Sequence, residues 1–281
     1  MQVLVYYNKE KDSGGKCKDQ LVNILVENNI SYSILDDDMI RDQMKADALF
    51  VIGGDGTILY LAEFANKNSI PIIGINAGKL GFLCEFEKNE IKLAVEGFKN
   101  NTLVKDSRTM LSINCNDNTY YALNEVYIQR VYDTDIGNTV AEIQVEIDNS
   151  FVSKYIGDGT MISSPTGSTA YAFSLGAPIL SPTSNTFTMT PIAAHTFNQR
   201  PIVYSDDSTC SIQIFGKAQV GVFVDGRLVD TLIQNDKLLV SKVDTDILFL
   251  RKKDYNFFKR MCKKLFIQGD EKWLKNLGVM L

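Results

Sequence analysis

The run Gly53-Gly54-Asp55-Gly56-Thr57 constrains this chain more than any other part of it. It follows directly on an apolar stretch, Ala48-Leu49-Phe50-Val51-Ile52, and precedes a pattern with Ile58, Leu61, Ala62 and Ala65 on one helical face. A strand that turns through glycines into a helix presents bare N–H groups and the positive end of the helix to whatever approaches. Phosphate is the usual visitor. An aspartate inside such a turn repels phosphate, so Asp55 is expected to receive a proton or to hold a metal.

Strand and helix alternate over the first hundred residues, with strands at 2–7, 31–35, 47–52 and 70–76 and helices at 15–28 and 57–67. Apolar, little-alternating strands in that order predict an α/β domain whose parallel sheet is covered on both faces. Ligands on such sheets lie at the carboxyl ends of the strands, where Gly53–Thr57 and Asn76–Gly81 both fall. From residue 103 the pattern changes to period-two runs at 109–115, 119–131, 141–148, 201–204, 209–215, 220–224 and 246–250. These predict an antiparallel, all-β region. The last stretch returns to helix, with Tyr255, Phe257, Phe258, Met261 and Leu265 as an apolar stripe among Lys and Arg. The expected organisation is an α/β domain over 1–102, an all-β domain over 103–251, and a helical segment, 252–281, packing back on the first domain.

Composition narrows the function classes. A net charge of −5 over 281 residues argues against a general nucleic-acid binder, and no run of apolar residues is long enough to span a membrane. The first strand gives way at once to Asn8, Lys9, Glu10 and Lys11, which is no signal-peptide pattern. Cys17, Cys84, Cys115, Cys210 and Cys262 are scattered without zinc spacing and read as reduced, buried thiols of a cytoplasmic protein. With His195 as the one histidine, a Ser–His–Asp hydrolase is disfavoured.

A second cluster adds to the first. Gly157-Asp158-Gly159-Thr160 leads through Met161-Ile162 into Ser163-Ser164-Pro165-Thr166-Gly167-Ser168-Thr169-Ala170-Tyr171, ahead of a short helix expected at 168–174. Hydroxyls and amides at that density suit ribose and phosphate oxygens, and Tyr171 offers a ring face or a phenol. The bland alternative is a Ser/Thr-rich turn capping that helix. Asn124 and Glu125 sit side by side in an otherwise β-patterned stretch; the pair can read a base edge or ribose hydroxyls, and it implies that the strand bulges or that one of the two leaves the core face.

Together these segments resemble the NAD kinase family. The resemblance runs from Gly53-Gly54-Asp55-Gly56-Thr57 through Gly78-Lys79-Leu80-Gly81-Phe82-Leu83, Asn124-Glu125 and the stretch from Asp158 to Tyr171. It continues through Gly176-Ala177-Pro178-Ile179, Thr190-Pro191-Ile192, Asn198-Gln199-Arg200-Pro201 and Val224-Asp225-Gly226. It implies phosphorylation of the 2′-hydroxyl of the adenosine ribose of NAD, giving NADP. ATP or inorganic polyphosphate would be the donor, with Mg²⁺ or another divalent cation and no protein metal cage. It implies a homodimer or homotetramer with the NAD site near a subunit boundary, and no nucleic-acid or membrane partner.

By the same resemblance Asp55 is the general base, and Gly53, Gly54, Gly56 and Thr57 bring backbone and hydroxyl close to phosphate. Asn124 and Glu125 hold the adenosine ribose or base. Asp158 and Thr169, Ala170, Tyr171, Ala172, Phe173 and Ser174 line the nucleotide site, and Ala193 lies beside the nicotinamide half. Two features depart from the pattern or add little to it. Ile156 stands where a basic residue is common, with Lys154 two positions earlier, and His195 matches a family position without a catalytic task. Asp225 reads as turn chemistry, although the family sometimes uses it near substrate. The alternatives are a lipid kinase of the diacylglycerol or sphingosine type, a more distant 6-phosphofructokinase, and a non-catalytic dinucleotide sensor.

Overall fold

In the computed structural model, which describes residues 1–78, 81–131, 140–196 and 198–265, the chain leaves its first unit once and later rejoins it. One unit is Met1–Ser107 with Ile247–Leu281, and the other is Arg108–Asp246. The first begins β1 (Gln2–Tyr7), α1 (Lys16–Glu27), β2 (Ser31–Ile34), β3 (Ala48–Gly53), α2 (Asp55–Lys67), β4 (Ile72–Asn76), β5 (Phe86–Glu87), α3 (Ile91–Lys99) and β6 (Val104–Arg108).

β3 and β4 are buried along their whole length, which is why both read as almost unbroken apolar runs. β1 pairs in parallel with β2 and β3, and β3 with β4. The register sets Gly53 opposite Asn76, so the two strands end level and the loops that follow them start side by side. Phe50 and Ile52 of β3 share one core with Leu21 and Leu25 of α1 and with Val95 and Phe98 of α3. The buried face of α2 carries Ile58, Leu61, Ala62 and Ala65, as its spacing predicts.

The second unit contains β7 (Leu111–Cys115), β8 (Asn118–Ala122), β9 (Glu125–Arg130), β10 (Ala141–Ile147), β11 (Ser150–Gly157), β12 (Gly159–Ser163), the single-turn α4 (Tyr171–Ser174), β13 (Thr186–Ile192), β14 (Ile202–Ser205), β15 (Cys210–Phe215), β16 (Val220–Val224), β17 (Arg227–Leu232) and β18 (Lys237–Lys242). They form two antiparallel six-stranded sheets, ordered β11-β10-β15-β18-β7-β8 and β14-β13-β12-β9-β16-β17. Ile113, Ile143 and Ile212 from one sheet meet Val126, Ile162 and Met189 from the other in a shared core. The chain then returns through β19 (Ile247–Arg251), which lies between β4 and β6, to α5 (Phe257–Leu265).

The α/β unit, the all-β unit and a terminal helix on the first unit all match the expected fold class. Several details differ. The run 246–250 joins the first unit's sheet, parallel to β4, because Phe249 pairs with Ile72. The run 119–131 is two strands in two different sheets, broken at Leu123-Asn124. The helix expected at 168–174 is a 3₁₀ turn, Thr166–Thr169, and a separate α4, because Ala170 between them has a non-helical ψ of −130°. On α5, Phe257 turns inward with Arg260 and Lys264 while Phe258 is exposed. Positions 257, 260 and 264 recur at helical spacing, so charged residues share the face first assigned to the apolar stripe. Residues 266–281 of the expected C-terminal segment, and Lys79 and Leu80 of the second glycine motif, lie outside the described residues.

Gly74 in β4 shows how tightly the site's supports are packed. A Cβ there would stand 2.8 Å from Ile58 Cδ1 of α2 and 2.9 Å from the Cys84 Cα. Gly74→Ala is expected to cost about 1–3 kcal/mol of stability through overpacking, measured by urea unfolding.

Candidate active site

The Gly53–Thr57 turn is held from three sides within the first unit. Gly54 is the N-cap of α2 and Asp55 its first residue. The Gly54 N–H donates to Thr57 Oγ1 at 3.4 Å, and Asn8 Nδ2 donates to the same hydroxyl oxygen at 3.4 Å. Gly53 must lack a side chain because a Cβ would fall 2.4 Å from Thr57 Oγ1. Gly54 and Gly56 are different: an added Cβ would meet nothing within 4 Å. Their missing side chains leave open space at the helix N-terminus, where backbone N–H groups favour an anion.

Asp55 is not an N-cap. Its carboxylate leaves the helix and accepts the backbone N–H groups of Phe82 at 2.8 Å and Leu83 at 3.0 Å. Gly81 passes so close that a Cβ would lie 2.0 Å from Asp55 Oδ1. The second glycine motif therefore serves the first: its small residue lets the loop after β4 wrap the aspartate. Lys264 of α5 brings its ammonium to 3.7 Å from Asp55 Oδ2 and over the Phe82 ring. Below them the Cys84 thiol, fully buried, is pushed up to about 12 by desolvation and then by the Asp55 charge, so it stays protonated.

In the second unit Asn124 and Glu125 stand at the crossing between the two sheets. The half-buried Asp225 carboxylate accepts three consecutive N–H groups, from Leu123 at 2.9 Å, Asn124 at 2.8 Å and Glu125 at 3.1 Å. Asp225 and Gly226 both have positive φ, so the expected tight turn is present, and its side chain also fixes the site. Ser164 closes the other side, its N–H on the Asn124 carbonyl at 2.8 Å and its hydroxyl on the Leu123 carbonyl at 2.5 Å. Gly167 lies against the Asn124 carbonyl, where a Cβ would be 2.2 Å away. Much of the hydroxyl cluster is thus spent on its own loop: Ser168 Oγ donates to the Pro165 carbonyl and accepts the Leu180 N–H.

Glu125 is only 5% exposed, and its Oε2 has no hydrogen-bond partner among the described residues. Burial, and then the Asp225 charge, push its carboxyl up to about 8. Tyr171 packs edge-on against Tyr127, with ring centres 5.3 Å apart, and Tyr127 stacks on Phe223 at 4.8 Å. Thr169 and Ala170 are half-buried, Ala172 is buried, and Phe173 and Ser174 are exposed.

Asp158 lies apart from Asn124 and Glu125. Glu125 pairs with Ser163 at one end of β9 and β12, while Gly159 pairs with Gln129 at the other, about 13 Å along the strand. Asp158 forms an ion pair with Arg130 at 2.8 Å, and its N–H donates to the Ile192 carbonyl, next to the exposed Ala193 with φ of 44°. His195 is exposed, with its backbone N–H bonded to the Ile156 carbonyl. Lys154 pairs with Glu142 at 2.9 Å and covers the Phe215 ring, while Ile156 is exposed. Sequence reasoning missed Arg130, Tyr127 and Phe223, which reach the site only through strand pairing. It also missed Arg260 and Lys264, whose one signal was charge on an amphipathic tail.

All five cysteines are free thiols, and no helix among the described residues is long and apolar enough to cross a membrane.

This architecture, a phosphate-ready glycine turn holding a carboxylate and an all-β unit rich in small polar residues, is that of a nucleotide-dependent phosphotransferase. Residues 5–102 match the family model for the ATP-NAD kinase N-terminal domain, and 123–252 that for the C-terminal domain. The NAD kinase of Fusobacterium nucleatum is 31% identical over 99% of both chains. That of Caldicellulosiruptor saccharolyticus is 31% identical over 94% of this chain and 99% of its own. A yeast NADH kinase solved with NADH shares the fold, with a TM-score of 0.84 and 22% identity over 96% of this chain and 88% of that one. An Archaeoglobus fulgidus NAD kinase solved with ATP gives 0.75 and 22% over 94% and 97%. The chain belongs to the NAD kinase family and is an enzyme, which sets aside the lipid-kinase and sensor alternatives.

Glu125 generates a prediction about stability. Its folded pKa of about 8 lies above the ordinary 4.5, so between those values the folded chain keeps a proton that the unfolded chain has released. Stability therefore falls as pH rises through that window, by up to about 1.4 kcal/mol per unit. Glu125→Gln is expected to flatten the slope, read by denaturant unfolding from pH 5 to 8. Parallel curves for the two proteins would count against it.

Proposed function

We propose that this protein transfers the terminal phosphoryl group of ATP to the 2′-hydroxyl of the adenosine ribose of NAD, giving NADP. Inorganic polyphosphate is the alternative donor. The observation that carries the reading is the Asp55 carboxylate, aimed by two backbone N–H bonds beside a helix end that Gly54 and Gly56 leave open. A carboxylate has about four lone-pair sites, so two bonds to the loop leave room for a substrate hydroxyl.

In the proposed step the ribose oxygen bonds to phosphorus as the bond to the leaving ADP oxygen breaks. Asp55 orients that hydroxyl and takes its proton. An alcohol is a far weaker acid than a carboxyl group, so the proton moves late, when the loose transition state has made the hydroxyl acidic. The Gly54 N–H is already on Thr57 Oγ1, so the Gly56 N–H in the first turn of α2 would be the one to meet the phosphate oxygens. The described residues contain no group of three His, Cys, Asp or Glu that could hold a metal. A Mg²⁺ ion carried on the triphosphate needs only one or two protein carboxylates, and Asp55 would be the residue to hold it. The ion would supply charge neutralisation on the phosphates.

The second unit supplies recognition. Glu125 Oε2, buried without a partner, is costly unless a ligand hydroxyl meets it. Asn124 at one end of the β9–β12 pair and Asp158 and Ala193 at the other suit the two halves of an extended dinucleotide. Tyr171 and the Thr169–Ser174 segment would line its middle. The same reading takes the enzyme to be a cytoplasmic homodimer or homotetramer, which sedimentation would count.

Asp55→Asn keeps one acceptor for the loop, so its stability should drop by only about 1 kcal/mol. Its kcat, measured as NADP formed from NAD, ATP and Mg²⁺, should fall about 10²–10⁴-fold. Full turnover in a folded variant would overturn the assignment of Asp55 as the base. Asn124→Ala is expected to raise KM for NAD or lower turnover in the same assay, and wild-type kinetics would remove its role.

A further inference from the structure

The segment Gly81–Glu85 is gripped from both of its sides. Its N–H groups at Phe82 and Leu83 hold the Asp55 carboxylate, while its carbonyls are held by arginines that follow the second unit in sequence. Arg260 of α5 donates from Nε to the Gly81 carbonyl at 2.9 Å, from a terminal nitrogen to the Cys84 carbonyl, and from the other to Glu85 Oε2 at 2.7 Å. Arg251, at the end of β19 and 1% exposed, donates to the Leu83 carbonyl at 2.9 Å. Glu85 is buried, and burial raises its carboxyl against the pull of both arginines.

One detail joins the two grips. The Gly81 carbonyl and the Phe82 N–H belong to the same peptide unit, which is planar and rigid. Arg260 holds the oxygen end of that plane and Asp55 holds the hydrogen end. A cation on the carbonyl also polarises the peptide and strengthens the N–H as a donor. Tilting the plane moves the hydrogen and the carboxylate together.

We propose that Arg260 is a positioning residue for phosphoryl transfer, acting through the Gly81–Phe82 peptide to aim the Asp55 carboxylate at the acceptor hydroxyl. The proposal rests on Asp55 being the base. Arg260 touches neither substrate in this scheme, so nucleotide binding does not depend on it. Its loss leaves Asp55 in place but free to rotate, and a misplacement of about 1 Å costs up to about 100-fold in rate.

The test compares Arg260→Ala, Arg260→Lys, Asp55→Asn and the double variant Asp55→Asn/Arg260→Ala in the full-length protein. Lys259→Ala serves as the control, since it removes one charge from the exposed side of the same helix. Arg260→Ala should lower kcat about 10–100-fold with KM for NAD and ATP within twofold of wild type. Arg260→Lys should recover part of that loss, and Lys259→Ala should be unchanged. In the Asp55→Asn background, Arg260→Ala should add little, because both act through one carboxylate. Hydrogen exchange at the Phe82 and Leu83 amides should speed up in Arg260→Ala while amides of β3 and β4 keep their protection.

A rise in both KM values at constant kcat, or full additivity with Asp55→Asn, would overturn the proposal. So would unchanged exchange at those two amides. If Asp55→Asn itself kept full turnover, the base assignment would fail first, and that outcome reads separately from the Arg260 result. A general loss of protection across β3 and β4 in both Arg260 variants would make Arg260 a structural residue alone.

Discussion

One carboxylate receiving three consecutive peptide N–H groups sets the geometry of the second unit. Asp225 takes the N–H groups of Leu123, Asn124 and Glu125 just where the chain crosses from one sheet to the other. A crossing strand loses its ladder partners, and buried N–H groups without partners are rarely tolerated. Asp225 provides them from 100 residues beyond Glu125. With that corner fixed, the Asn124 carbonyl can take the Ser164 N–H and let Gly167 approach, so the hydroxyl-rich loop is folded onto the Asn124–Glu125 pair. The Glu125 side chain is left buried, with Oε2 unpaired among the described residues, and readily protonated.

The two units solve the same problem with the same chemistry and different ends. In each, a carboxylate collects backbone N–H groups from a distant loop. Asp225 is spent on architecture, because all its contacts keep a corner closed. Asp55 takes only two N–H groups and sits beside glycines whose missing side chains face open space. A carboxylate with unused acceptor sites next to a helix N-terminus is available for chemistry.

Much of this was legible in the sequence. The unbroken apolar runs of β3 and β4 can be buried on both faces, and the glycine turn after β3 has few other uses, so the α/β unit and the place of Asp55 were readable. The crossing at Leu123-Asn124 was legible only as an irregularity, because the Asn124-Glu125 pair reads as a bulge within one strand and the change of sheet depends on pairing with distant strands. Nor was the destination of 247–251 readable, since half-buried alternation looks the same in either sheet and pairing with Ile72 is a tertiary choice. Arg260 read only as one of the charges flanking the apolar stripe of the terminal segment, and Arg251 as the last residue of the all-β region. Their signal lay elsewhere, in Glu85, an acidic residue inside the apolar stretch Gly81–Phe86 that needs buried cations.

The placement of β19 bears on how the molecule is made. It sits between β4 and β6, so the first unit's sheet lacks an interior member until residue 251 has left the ribosome. The second unit is one continuous stretch, Arg108–Asp246, and is free to fold earlier as an insert. Until then β4 is covered on that side only at Ile75 and Asn76, by β5, and its first half around Ile72 exposes an unpaired apolar edge, a template for wrong pairing. The order of synthesis therefore makes the nascent α/β half the aggregation-prone partner, waiting on a strand encoded only after the whole second unit.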